Sequence, residues 1–125
     1  MDIPKQIDYW RSGAEEDLAA SWSLLEKGHL RHALFFAHLS LEKMLKAHVS
    51  KATRKTPPKI HNLVRLAGIA KLRMSEPELK TLRDFDRYQL EGRYPGTMKV
   101  PLNLRTARSD LAWAERTIKR LKKEL

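Results

Sequence analysis

Residues 29–52, HLRHALFFAHLSLEKMLKAHVSKA, hold neither glycine nor proline and read as one long helix. Their first half, Ala33, Leu34, Phe35, Phe36 and Ala37, is apolar almost all round. A helix of that kind sits centrally and is covered on more than one side. In the second half, Leu41, Met44, Leu45 and Val49 continue to face a core. Glu42, Lys43 and Lys46 interrupt it, and such side chains are buried only when paired. His38, Glu42 and Lys46 fall at i, i+4 and i+8, so they form one polar stripe along a mostly apolar rod. Two readings follow: an exposed face with an ordinary Glu-to-Lys pair, or a polar strip lining a groove against another helix.

A chain of 125 residues predicts one domain over 1–125, with roughly two-thirds of its unfolded surface buried in a single core. A hydrophobic content of 42% with mixed charges predicts a globular rather than a disordered chain. No run approaches the roughly 18–20 apolar residues that span a membrane. The opening MDIPKQIDYW lacks the basic and apolar regions of a signal peptide, so a cytoplasmic protein is expected. There is no cysteine, which excludes disulfides, thiol chemistry and Cys-type zinc sites. The net charge of +10 is uneven: residues 29–75 carry ten Lys/Arg against one Asp/Glu, and 93–125 carry nine against three. A one-sided basic surface attracts polyanions, nucleotides or an acidic protein.

Residues 4–27 read as the first helix, with Pro4 at its start and Gly28 at its end. Ile7, Trp10, Ala14, Leu18, Trp22 and Leu25 make its core face. Asp17, at the edge of that face, is placed to pair with a basic residue of a neighbouring helix. The short connection to the second helix predicts an antiparallel hairpin. TRKTPPKIHN, residues 53–62, is a basic loop ending at His61. Asn62 is positioned to cap a short helix, Leu63 to Leu72. Ser75 and Glu78 form a capping box for the next helix, with Leu79, Leu82, Phe85 or Asp86, and Leu90 inward. Residues 91–104, with two glycines and two prolines, read as an irregular excursion. In the last helix Leu104, Ala107, Leu111, Ala114, Ile118, Leu121 and Leu125 alternate in spacing between three and four, the seam of a bundle helix. No strand pattern occurs. The expected fold is all-α, an up-and-down four-helix bundle plus one short extra helix, with Trp10, Trp22 and Trp113 as core or interface residues.

No phosphate-binding glycine loop, HExxH or serine-hydrolase signature is present. The five histidines are joined by no carboxylate cluster in the sequence, so no metal site is expected. The acidic residues of the first and fourth helices read as solvated faces, which leaves a two-carboxylate hydrolase without support. The remaining candidates are His61 at the loop end and the cluster Tyr88, Arg93, Tyr94 and Pro95. An arginine at a helix end presents a planar fork to phosphate or carboxylate, and Tyr94 stacks or hydrogen-bonds beside it. The structural alternative is that Arg93 caps its helix or binds Asp17 or Glu42. One arrangement serves both: Glu42 and Lys46 facing Arg93 across a cleft.

The runs FFAHLSLEKMLKAHV, PPKIHNLVRLA and DRYQLEGRYP, in this order and spacing, resemble the prokaryotic HEPN domain family. The resemblance covers roughly residues 10–120. It implies a helical bundle, usually a homodimer, associated with nucleotide or RNA binding. It also implies a partner of nucleotidyltransferase fold, as in toxin–antitoxin pairs. Toxin members are metal-independent ribonucleases that use an Arg followed, four to six residues on, by His, around the fourth helix. Here Arg87 and Arg93 lie in that region with no later histidine; Arg31 to His38 and Arg54 to His61 fit the spacing in other elements. The expectation is therefore a non-catalytic module with no catalytic residue, metal or cofactor. Carried over position by position, Lys43, Lys46, His61, Arg93 and Tyr94 would meet nucleotide or phosphate, with Glu42, Tyr88 and Asp17 as supporting polar groups. The alternative is a ribonuclease with an altered site, using His61 or His38 as acid–base group.

Overall fold

The computed structural model describes residues 2–97 and 102–125, so the middle of the expected 91–104 excursion, residues 98–101, lies outside the described residues. Five helices follow in order: α1 (Ile3–Glu26), α2 (Leu30–Thr53), α3 (Leu63–Ile69), α4 (Glu76–Arg93) and α5 (Leu104–Lys123). Among the described residues there is no strand, and no helix is long and apolar enough to cross a membrane.

The helix ends are written in local chemistry. Asp2 accepts the Lys5 N–H at 3.1 Å with Pro4 in the first turn of α1, and Gly28 ends the turn after it at φ +82°. Asn62 caps α3 through the Arg65 N–H at 2.9 Å, and Asn103 caps α5 through the Thr106 N–H at 2.9 Å. Ser75 and Glu78 form the expected capping box of α4. Such caps are each worth about 1 kcal/mol. Two boundaries differ from expectation. α3 stops at Ile69 rather than Leu72, because Lys71 turns left-handed at φ 57° and Leu72 N–H bonds back to the Ala67 carbonyl. α4 runs through Gly92 to Arg93, because Gly92 lets the helix lie directly on Phe35: a Cβ there would be 2.3 Å from the ring.

Cross-helix contacts fix the directions. Ser21 Oγ donates to the Ala33 carbonyl at 2.5 Å and Ser40 Oγ to that of Ala14 at 2.6 Å, which makes α1 and α2 antiparallel. The Phe85 and Trp113 rings stack at 5.8 Å and Arg120 reaches Glu78 at 2.5 Å, so α4 and α5 are antiparallel. His48 Nε2 donates to the Leu121 carbonyl at 2.7 Å and Lys51 Nζ to that of Glu124 at 2.6 Å, so α2 and α5 run the same way. The four long helices therefore alternate up and down. α2 touches all four other helices.

The core follows from that position. Leu34, Leu41, Met44 and Leu45 are fully buried in one core with Ala107, Leu111, Ala114, Ile118 and Leu121 of α5. Each large aliphatic side chain so enclosed contributes about 1.5–3 kcal/mol of transfer free energy. On α4 the inward residues are Leu82, Phe85 and Tyr88, whereas Leu90, expected inward, is half exposed. The bulky Tyr88, tied by its hydroxyl to Asp110 of α5, sets the face that α4 turns to the bundle.

Candidate functional site

Because α2 touches all four other helices, the polar stripe lies inside the bundle: His38 is 0%, Glu42 4% and Lys46 6% exposed. The exposed-face reading is thus corrected, and the groove reading describes the stripe. Taking Glu42 and Lys46 out of water costs several kcal/mol per ion unless each finds partners. They do. Lys46 Nζ donates to Glu42 Oε2 at 3.1 Å and lies 5.2 Å from the centre of the Trp10 ring of α1. The other carboxylate oxygen, Oε1, accepts from His61 Nδ1 at 2.9 Å. A carboxylate only accepts, so the His61 nitrogen facing it carries the proton. The other ring nitrogen, Nε2, has no protein partner among the described residues, and the side chain is 46% exposed.

A second dyad lies beside the first. His38 Nε2 donates to Asp86 Oδ1 of α4 at 3.0 Å, and its Nδ1 sits 3.9 Å from Glu42 Oε1. The same Asp86 oxygen accepts the Leu63 N–H at 3.4 Å, at the start of α3. Glu42 thus holds the last residue but one before α3, and Asp86 holds the first residue of it. Two of the five histidines, His38 and His61, are thus joined through carboxylates, and Asp86 is engaged in the site rather than part of a solvated face. The sequence signal for His38 was its place in the stripe. Asp86 was visible only as an alternative to Phe85 on the inner side of α4. Among the described residues no group of three or more His, Asp or Glu is arranged to hold a metal ion.

The other predicted residues fall elsewhere. Lys43 Nζ pairs with Asp17 at 2.7 Å, its stem lying across α1 at Gly13, where a Cβ would stand 3.1 Å from its Cδ. Tyr88 faces α5: its hydroxyl donates to Asp110 and accepts from Arg87 at 3.2 Å, and burial first, then Asp110, pushes it up to about 12. Arg93 lies over the Phe35 ring, 5.6 Å from its centre, and Tyr94 is 64% exposed. Phe35 and Glu42 are seven residues apart on one helix, or about 10 Å. Arg93 therefore binds neither Glu42 nor Asp17 and closes no cleft on Lys46; it stands further along the same side of α2. What converges is Glu42, Lys46 and His61, with His38 and Asp86 behind them. Lys46 is consumed as the internal counter-ion, while His61, Arg93 and Tyr94 meet solvent.

Near the start of the same basic loop, a cleft of about 420 Å³ opens between the beginning of α1 and the end of α2, lined by Ile7, Arg11, Lys51 and Arg54 among others. Arg11 is held there by Asp8 and by Glu15 at 3.0 Å, which raises its already high pKa.

Comparison with known proteins gives two findings. The family model described as HEPN domain matches residues 7–124. The fold is similar to the crystal structure of TT1696 from Thermus thermophilus, with a TM-score of 0.80 and 20% identity, over 96% of this chain and 98% of that one. That likeness concerns the fold alone. No curated protein matches the sequence.

Proposed function

The chain belongs to the HEPN domain family, and we propose that it is a non-catalytic module that binds the phosphates of a nucleotide. In this reading it works as a homodimer beside a partner of nucleotidyltransferase fold, as in a toxin–antitoxin pair. The observation that carries it is the Glu42–His61 contact. A buried carboxylate fixes one nitrogen of a half-exposed ring at 2.9 Å, which leaves the other without a protein partner and holds it in a fixed direction, within a segment of ten cationic residues against one acidic. When protonated, that nitrogen donates a charge-assisted hydrogen bond to a phosphate oxygen. Arg54, Lys55 and Lys59 of the same loop add long-range attraction. Arg93 offers its fork from the end of α4, and the open ring of Tyr94 gives a face for a base. Lys43 tethers α1 to α2 through Asp17, and Lys46 is the internal partner of Glu42.

The test is a calorimetric titration with ATP and the other nucleoside triphosphates at low and moderate salt, with His61→Ala and Arg93→Ala alongside. Saturable binding lost in His61→Ala supports the site. Binding that vanishes at moderate salt in every variant alike is diffuse electrostatics and removes it. Co-purification of a nucleotidyltransferase-fold protein tests the partner separately.

The same dyad favours one alternative, RNA cleavage with His61 as the acid–base group. A histidine oriented by a carboxylate is suited to proton transfer. Against it, His38 is fully buried and offers no second group to substrate, and no histidine follows Arg87 or Arg93. Diverse RNAs left intact by the purified protein over long incubation remove this alternative.

A further inference from the structure

We propose that the outer face of α5 is a second anion site, separate from His61, which binds the phosphate backbone of a nucleic acid without regard to sequence. Arg105, Arg108, Arg116, Lys119 and Lys123 are all exposed. At 100° per residue they fall within an arc of about 80°, and at 1.5 Å per residue they span about 27 Å. The buried face of the helix, Ala107, Leu111, Ala114, Ile118 and Leu121, lies opposite. The result is one straight cationic ridge on a rigid element.

The charges on this helix are sorted. Cations at its edges are neutralised by the neighbouring helices: Arg120 by Glu78 of α4 at 2.5 Å and Lys122 by Glu15 of α1 at 2.6 Å. Along the ridge only Lys119 has a carboxylate partner, Glu115 one turn away at 2.8 Å. Among the described residues Arg105, Arg108, Arg116 and Lys123 have none. Like charges three and four residues apart repel each other along a helix. The fold gains nothing by leaving them unpaired, and a polyanion would pair them all.

The chemistry selects a nucleic-acid backbone over a protein. Along its length the ridge carries only Ala112 and Ser109 between the cations, and the one large apolar side chain beside it is Leu104, at its very start next to Arg105 and Arg108 rather than at its centre. A protein interface needs such anchors at its centre. Three of the five cations are arginines, whose planar forks suit phosphate. Spread over about 27 Å, the five cations stand far enough apart for each to meet a different phosphate, since successive phosphates of one strand rise about 3.4 Å.

The experiment is fluorescence anisotropy of the whole protein with a labelled duplex of about twenty base pairs and with a single strand of equal length, over rising salt. Four to five neutralised phosphates predict a log–log salt slope of about −4 for the duplex. Arg105→Glu/Arg116→Glu should weaken binding at least about tenfold and bring the slope to about −2 or shallower, with unchanged helix content by circular dichroism. Arg73→Glu/Arg83→Glu alters the net charge equally away from the ridge and should leave most of the affinity. His61→Ala should leave it whole, so the ridge stands or falls apart from the nucleotide site. Equal losses in the two charge-reversal variants would overturn the proposal, as would a failure of both the duplex and the single strand to bind at low salt.

Discussion

Glu42 and His61 are joined at 2.9 Å although one lies inside the central helix and the other at the end of a basic loop nineteen residues on. Oε1 of the carboxylate fixes the ring, and Oε2 holds Lys46. One buried anion thus positions an accessible histidine and neutralises a buried ammonium. Removing the charge should break both. Glu42→Gln leaves Lys46 buried and unpaired, which costs about 3–5 kcal/mol. Glu42→Gln with Lys46→Met should recover much of that loss, because no lone charge remains. Urea unfolding of the two singles and the double measures the coupling. Additive losses would show that the pair does not act as a unit.

His61→Ala, by contrast, should cost less than about 1 kcal/mol of stability, since its ring is half exposed and screened by solvent. The same variant should abolish nucleotide binding. A variant that unfolds as easily as Glu42→Gln would make His61 a structural residue. One that stays stable and still binds would move the site elsewhere.

Asp86 holds both His38 and the first N–H of α3. Asp86→Asn should cost about 1.5–3 kcal/mol, the range for a hydrogen bond to a charged group. Its local signature is faster hydrogen exchange at Leu63 and the residues after it, with exchange in α5 little changed. Uniform acceleration along the chain would mean that Asp86 matters only to global stability.

Two titrations carry signs that can be measured. His48 is held below its ordinary value of 6.5, first by burial and then by Lys51, against the Leu121 carbonyl that pulls it up. The unfolded chain therefore takes up this proton first, and the contribution falls as pH drops through about 6.5. His48→Gln keeps a donor for the carbonyl without titrating, so its stability should vary less between pH 7 and 5. Tyr88 is shifted the other way, to about 12. Its contribution is complete below pH 10 and is lost as pH rises through 10 towards 12. Absorbance of the tyrosinate band should show one residue ionising late, and Tyr88→Phe should remove that step.

Gly92→Ala sets two effects against each other. Alanine is the better helix former by about 0.8–1 kcal/mol. The new methyl, however, would stand 2.3 Å from Phe35 Cδ1. Overpacking of this kind costs about 1–3 kcal/mol, so net destabilisation is expected. Phe35→Leu should reverse its sign. A thermal melt of the three variants decides it, and a more stable Gly92→Ala would show that Phe35 yields without cost.

The five helices, the caps at Asn62 and Ser75, and the central place of residues 29–52 were legible in the sequence. These depend on residues within one turn of each other or on a repeating apolar spacing, and both are local properties. The family resemblance was legible for a related reason, since it rests on the order of short runs. The end of α3 was not legible, because Lys71 takes the left-handed turn that glycine usually supplies. Nor was the extension of α4, because Gly92 serves a close approach to Phe35 rather than a break in the helix.

That His38, Glu42 and Lys46 share one stripe follows from 3.6 residues per turn, and needs nothing beyond the order of residues in the chain. That the stripe is buried, that His61 and Asp86 complete it, and that Arg93 lies over Phe35 rather than against Glu42 came only with the packed bundle. Spacing fixes which side chains share a face of one helix. What that face meets depends on how the other helices pack around it, where volume and the pairing of buried charge must be satisfied together.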